Sequence, residues 1–294
     1  VSLGIALTTT GTNVGIKTTG GTNKVTVSEA GSITTAGSSA YGIYNYGNSN
    51  TTTVSGSITT AESAAQGILN IGNSNKTTVS GNITTAETAA HGIQNIGNSN
   101  ETTVSGSIKT AEVIAIGIFN EGNKNKATVS GSITTDGRNA VGIRNFGNEN
   151  EITVSGSITT TGEGAHGIYN LGDNNTTTIS GTVKATGAKS AALYSAGGAG
   201  GDGNSFTLNE GATIIGDILA RDDATNNAYD ATNSKLIFNL GASTSYAYSV
   251  SGKGEGTGAG QWDFSDLDRS SQVVTTSGTG CDTTITYAGN DTCN

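Results

Sequence analysis

The chain lacks proline and methionine altogether, and it holds only two histidines, two cysteines and one tryptophan in 294 residues. The missing methionine means that residue 1 is not a translational start. A secreted precursor with its signal peptide removed, or a trimmed chain, accounts for that equally well. No run of 18 apolar residues occurs, so no stretch has the length of a membrane-spanning helix. Charged residues make up 13% and acids outnumber bases, giving a net charge of −9. That balance disfavours nucleic acid as a partner. Hydrophobic content of 33% is low for a globule and permits disorder, unless a strict pattern puts the apolar residues to use.

Such a pattern is present. The stretch Gly42 to Thr60, GIYNYGNSNTTTVSGSITT, returns from Gly67, Gly92, Gly117, Gly142 and Gly167, each start 25 residues after the last. A period of this size points to a repeat architecture before any local propensity is weighed. Three aliphatic slots recur, at Ile43, Val54 and Ile58 and their equivalents, and Asn45 and Gly47 keep the same register. No helical period links the aliphatics, and the residues around them are strand formers. One coil buries too little to offset the entropy of ordering it, whereas stacked coils share a backbone ladder and continuous aliphatic columns. The expected fold is all-β: a right-handed parallel β-helix, or β-solenoid, with 25-residue coils rising about 4.8 Å each and a C-terminal β cap. Asn45 and its equivalents should stack as a buried amide ladder.

Four regions follow from this. Residues 1–13 lie outside the repeat as an N-terminal extended strand. Val1, Leu3, Ile5 and Leu7 alternate with small Ser2, Gly4 and Ala6, which reads as one strand with one apolar face. Residues 14–233 are coils, regular over 40–189, with a first irregular coil carrying two extra residues at Glu29-Ala30. Residues 234–268 change to alternating aromatic character and read as a cap. Residues 269–294 are a polar tail, in which Cys281 and Cys293 read as a disulfide formed in an oxidising compartment.

The unit A-x-G-I-x-N-x-G-N-x-N-x-x-T-V-S-G-S-I-T-T resembles the repeats of bacterial type V autotransporter passenger domains. IIGDILARDD, SKLIFNLG, YAYSVSGKG and QWDFSDLD resemble the C-terminal autochaperone segment of such passengers. The resemblance spans roughly residues 14–268. It implies a β-helix, a bacterial cell-surface or extracellular location and an adhesive role. The membrane barrel of that family is not legible before Asn294, so a released passenger, a fragment or a relative with another use for the fold is expected.

Stacking lets candidate chemistry be compared slot by slot. His91 and His166 share a slot three coils apart, about 14 Å by the strand spacing. They cannot share a metal ion and are expected to face solvent. Lys76, Glu101, Lys126 and Glu151 alternate on adjacent coils as a surface ion ladder. Glu62, Glu87 and Glu112 stack like charges, a weak candidate for a divalent cation. They are also the one carboxylate set spaced for glycoside hydrolysis, though without an aromatic platform in their own slot. No cofactor is expected, and an enzyme is the least favoured class. Tyr44, Leu69, Phe119 and Tyr169 share one slot, and Tyr46, Ile71, Ile96, Phe146 and Leu171 another. If Ile43 and Asn45 point inward, both slots point outward as an apolar stripe of the kind that marks an interaction surface. The leading expectation is a rod that joins copies of itself head to tail into an extracellular filament, donating the strand of residues 1–7 to strands around Leu236–Leu240 and Tyr246–Val250. The alternative is a monomeric adhesin for host or neighbouring-cell surfaces.

Overall fold

The repeat unit breaks into three four-residue strands separated by corners. In the second coil these are Ile43–Tyr46, Thr51–Val54 and Ser57–Thr60. A computed structural model describes residues 1–196 and 203–221 and the strands 235–239, 246–247, 274–277 and 285–286. It is an all-β parallel solenoid of about eight turns. Among the described residues there is no helix.

Each strand pairs in parallel with its equivalent one coil away, so the three strands of a coil belong to three different sheets. The first sheet contains Ile43–Tyr46, the second Thr51–Val54 and the third Ser57–Thr60. Through the regular coils the register is an unbroken shift of 25: Ile43 opposes Ile68, Val54 opposes Val79 and Ile58 opposes Ile83. The three aliphatic columns meet on the axis as one continuous core.

Polar ladders run beside that core. Asn45 Nδ2 donates to Asn70 Oδ1 at 2.7 Å, and the chain of amides continues through Asn95, Asn120 and Asn145 to Asn170. A second buried ladder has a different grammar. The backbone N–H of Asn50 donates to Asn75 Oδ1 at 2.9 Å, and this repeats coil by coil to Asn175 and Asn204. Buried Thr60 and Thr85 donate to the carbonyls of Ala65 and Ala90, tying the corner into the next strand. Buried amides and hydroxyls are costly unless paired, and here the pairing of the Asn45 ladder and of the threonines is with the next coil or corner. In the second ladder Asn75, Asn100, Asn125, Asn150 and Asn175 pair only Oδ1, and their Nδ2 is buried without a partner.

Gly47 and its equivalents turn the corner after the first sheet with φ between +124° and +142°. That is backbone territory for glycine alone. A Cβ on Gly47 would lie 2.2 Å from the carbonyl oxygen of Gly20 in the previous coil. Insertions fall at corners. In the first coil the offset to the next is 27 residues on the first two strands and 25 on the third, so the extra pair lies between Val27 and Ser32. Past Ala196 the offset grows from 25 to 29 and then 31 while the strands stay paired.

The N-terminus departs from the expected single strand. Ser2–Leu3 pairs with Thr26-Val27 in the second sheet, and Ala6–Thr9 pairs with Ser32–Thr35 in the third. The chain turns a corner at Gly4-Ile5, where the regular unit turns at Ser55-Gly56. Leu3 and Leu7 therefore fall in the slots of Val54 and Ile58 and pack on the core. Val1 and Ile5 point away and are 68% and 71% exposed. Residues 1–9 are two sides of a further coil, docked on the chain's own first coil.

At the other end, Lys235–Asn239 continues the second sheet beside Ser205–Asn209, and Leu236 joins the core. Val274–Ser277 adds to the same sheet, and Tyr246–Ala247 pairs with Ile285–Thr286. Within the segment expected to form a cap, the described strand Lys235–Asn239 thus extends the solenoid. Tyr246–Ala247 is the other described strand of that segment; the rest of 234–268, and the Cys281–Cys293 pair, lie outside the described residues.

Candidate functional site

A parallel strand with Ile43 and Asn45 turned inward must turn Tyr44 and Tyr46 outward, because successive side chains alternate. The exact 25-residue register then stacks outward residues into columns on the first sheet. One column reads Tyr44, Leu69, Gln94, Phe119, Arg144, Tyr169, Tyr194. The other reads Tyr46, Ile71, Ile96, Glu121, Phe146, Leu171, Ala196. The expected stripe is therefore assembled, but unevenly. Tyr46 and Phe146 are 54% and 47% exposed, while Tyr44, Ile71, Ile96, Phe119 and Tyr169 are half-buried. Leu69 and Leu171 are buried, contrary to expectation. Leu69 lies between the longer Tyr44 and Gln94 on adjacent rungs. Leu171 belongs to a small outer cluster with Ala191, Tyr194 and Ala196, against which Tyr169 and Leu219 pack.

Rings meet along this face in three groups. Tyr44 lies between Tyr41 and Tyr46, with centroids 5.5 and 6.4 Å away, and Lys17 sits over its ring. In the middle, the Arg144 guanidinium lies 5.4 Å from the rings of both Phe119 and Tyr169 and 5.9 Å from that of Phe146. Beyond it, Tyr194 stacks on His166 at 4.5 Å and meets Tyr169 edge-on at 4.8 Å.

The histidines correct the sequence reading. His91 is buried and His166 largely so. His91 Nδ1 accepts the backbone N–H of Ile116 at 3.0 Å, and His166 Nδ1 accepts that of Ala191 at 3.0 Å. Each imidazole thus joins its coil to the next, and only an unprotonated Nδ1 can do so. Burial, aided by the Arg144 charge, lowers both pKa values to about 4. The covering residues include Phe119 over His91 and Tyr194 over His166, which lean in from the neighbouring column.

The remaining candidates are dispersed. Glu62, Glu87 and Glu112 are exposed at one corner of successive coils. Among the described residues no group of three acidic, histidine or cysteine side chains is placed to hold a metal ion. Long side chains on rungs this close splay into water rather than converge. The ion ladder resolves into two pairs, Lys76–Glu101 at 3.2 Å and Lys126–Glu151 at 2.8 Å, each about half exposed. A hydrogen bond from Lys126 to Glu151 raises the lysine pKa. Val1, Leu3, Ile5 and Leu7 do not form one donor face, for the reason given by the corner at Gly4-Ile5. The second asparagine ladder was open to sequence reasoning through its period, but Asn50 stands in a GNSN stretch that reads as a turn. Comparison with protein-family profiles, curated proteins and solved structures gives no match for the chain.

Proposed function

We propose that the chain is a rigid, non-enzymatic, extracellular rod that adheres to cell surfaces through the outer face of its first sheet. The observation that carries this reading is the half-exposed run from Tyr44 and Tyr46 to Phe146 and Tyr169. Its side chains are not needed by the core, yet they are large and apolar in coil after coil. An apolar patch of this extent on a protein rod has the composition of an interaction surface. The sequence resemblance to autotransporter passengers, together with the solenoid fold, supports a bacterial surface location. The reading assigns the chain no reaction and no cofactor. The test is adhesion of purified protein to bacterial and epithelial cells. Tyr46→Ser combined with Phe146→Ser should reduce adhesion at least severalfold while the circular dichroism spectrum stays the same. Undiminished adhesion by the double variant would overturn the reading.

Self-association is a second reading, favoured by one observation. Ser2–Leu3 and Ala6–Thr9 stand at the ends of their sheets with one edge each unpaired. Such edges template further strands. Residues 1–9 could also detach and dock on a second copy in the same slots, which is strand exchange in the sense of a domain swap. Sedimentation of the chain with and without residues 1–9 tests this. Higher-order species should disappear on deletion, and their persistence, or a wild-type chain that stays monomeric at high concentration, would count against it.

A further inference from the structure

The repeat supplies its own control for each position. In the column of Tyr44 the other regular coils carry tyrosine, leucine, glutamine and phenylalanine, all neutral, and only the irregular first coil has a cation, Lys17, so nothing in the coil geometry requires one at Arg144. Yet a guanidinium stands there, among Phe119, Phe146 and Tyr169. Its Nε is buried and has no hydrogen-bond partner. Among the described residues no carboxylate lies within ion-pair distance of it, although six ion pairs form elsewhere on the rod. Glu121 is the nearest acid by register, one rung away and in the other column, opposite Phe146. A partly covered arginine with three ring neighbours and no carboxylate partner has its Nε sealed beneath the surface and leaves its terminal N–H groups to receive a planar anion.

Resting on the adhesive reading above, we propose that Arg144, with Phe119, Phe146 and Tyr169, forms a subsite for a saccharide bearing a single carboxylate. The guanidinium takes the carboxylate, and the flanking rings take the apolar C–H face of the sugar. Three features select this class. The strands of the first sheet around Arg144 are paired on both sides, so no backbone edge is free to hold an extended peptide. One guanidinium matches one carboxylate; among the described residues the only other cation in its column is Lys17, at the far end of the rod beside Tyr44. The net charge of −9 repels a densely charged polyanion, which leaves a mostly neutral glycan with an isolated or terminal acid sugar.

The test uses the full chain with 3′-sialyllactose and a hyaluronan disaccharide, each bearing one carboxylate, as probes. Lactose and N-acetyllactosamine are the neutral counterparts, and an acetylated aspartate-containing hexapeptide is the rival. Binding is read by saturation-transfer NMR and titration calorimetry. At least one acid sugar should bind roughly tenfold or more tightly than its neutral counterpart, and Arg144→Gln should lower that affinity about tenfold, the weight of one charge-assisted contact. Arg144→Lys should recover only part of it, and Glu121→Gln should tighten it by removing the nearest charge that repels an incoming carboxylate. The proposal is overturned by equal binding of acid and neutral sugars, by no binding of either, by an undiminished Arg144→Gln variant, or by tighter binding of the peptide. Cell adhesion separates the two readings. An Arg144→Gln chain that still adheres, beside a Tyr46/Phe146 double variant that does not, sinks the subsite and leaves the adhesive face standing.

Discussion

Inside the first sheet, the slot of Ile43 holds isoleucine and the slot of Asn45 holds asparagine in six successive coils. Outside the same strands, the slot of Tyr44 holds Tyr, Leu, Gln, Phe, Arg and Tyr, and the slot of Tyr46 holds Tyr, Ile, Ile, Glu, Phe and Leu. Both faces hang on one backbone with one register. The inward face is fixed because each side chain must complete a column with its neighbours above and below. The outward face is released from that demand, and what stands there reflects something other than folding. The demands of stability thus fall mainly on the side chains that point inward, and the outward face is free to vary.

The harshest way to break the inner face is Ile93→Asp. It places a carboxylate in the centre of a fully buried column with no partner, at a cost of several kcal/mol. Neighbouring coils depend on that contact, so the β-sheet circular dichroism and the thermal transition should collapse together. A variant with the wild-type melting curve would contradict the column assignment.

Acid attacks the seam between the faces. His91 and His166 fold with pKa values of about 4, below the ordinary value of 6.5. The unfolded chain therefore binds more protons than the folded one between those limits. Their contribution is complete above about pH 6.5, declines as the pH falls through the interval, and is exhausted near pH 4. Protonation also removes the acceptor for the N–H of Ile116 and of Ala191. By linkage the loss is on the order of a few kcal/mol in total. Urea titrations at a series of pH values should show that slope. It should flatten in His91→Gln/His166→Gln, and a slope unchanged in the double variant would remove the histidines as its source.

A finer test compares two rungs of the amide ladder. Asn95 Nδ2 also donates to Thr102 Oγ1, whereas the position facing Asn120 is Ala127. Asn95→Ala should cost more than Asn120→Ala, by about 1 kcal/mol, the usual worth of one buried hydrogen bond. Equal midpoints in chemical denaturation would show that the threonine adds nothing. The smallest effect belongs to the solvated ladder. Lys126→Ala should cost about 0 to 1 kcal/mol and less at high salt, since the Lys126–Glu151 pair is half exposed. A larger cost, insensitive to salt, would mark that pair as part of the scaffold.

How much of this was legible follows the same division. The aliphatic columns and the Asn45 ladder were readable because repetition exposes any slot that tolerates one residue type. The extra pair near Glu29 was readable because an insertion shifts register without changing slot identity. Residues 1–9 were misread because Val1, Leu3, Ile5 and Leu7 alternate like a single strand. The four-residue step from Leu3 to Leu7 is also the step from Val54 to Ile58, so a corner between them fits the same letters. The buried histidines were missed because their slot reads Tyr, Gln, His, Ile, Val, His, a mixture that looks like surface. Its burial depends on rings leaning over from another column, a tertiary fact that one slot does not contain. The loneliness of Arg144 was equally invisible, since only coordinates show which acids stay out of reach.

The asparagine ladders have a genetic consequence. Each rung presents the same donor on one side and the same acceptor on the other, so in its interior any regular coil fits above or below any other, whatever its surface charges. Unequal recombination between these near-identical segments would delete or add 25 codons in frame, and the product would meet no mismatched junction in its interior. The rod would shorten or lengthen by about 4.8 Å for each such event. Its reach is thereby an adjustable trait, one that a population can vary without first solving a new folding problem.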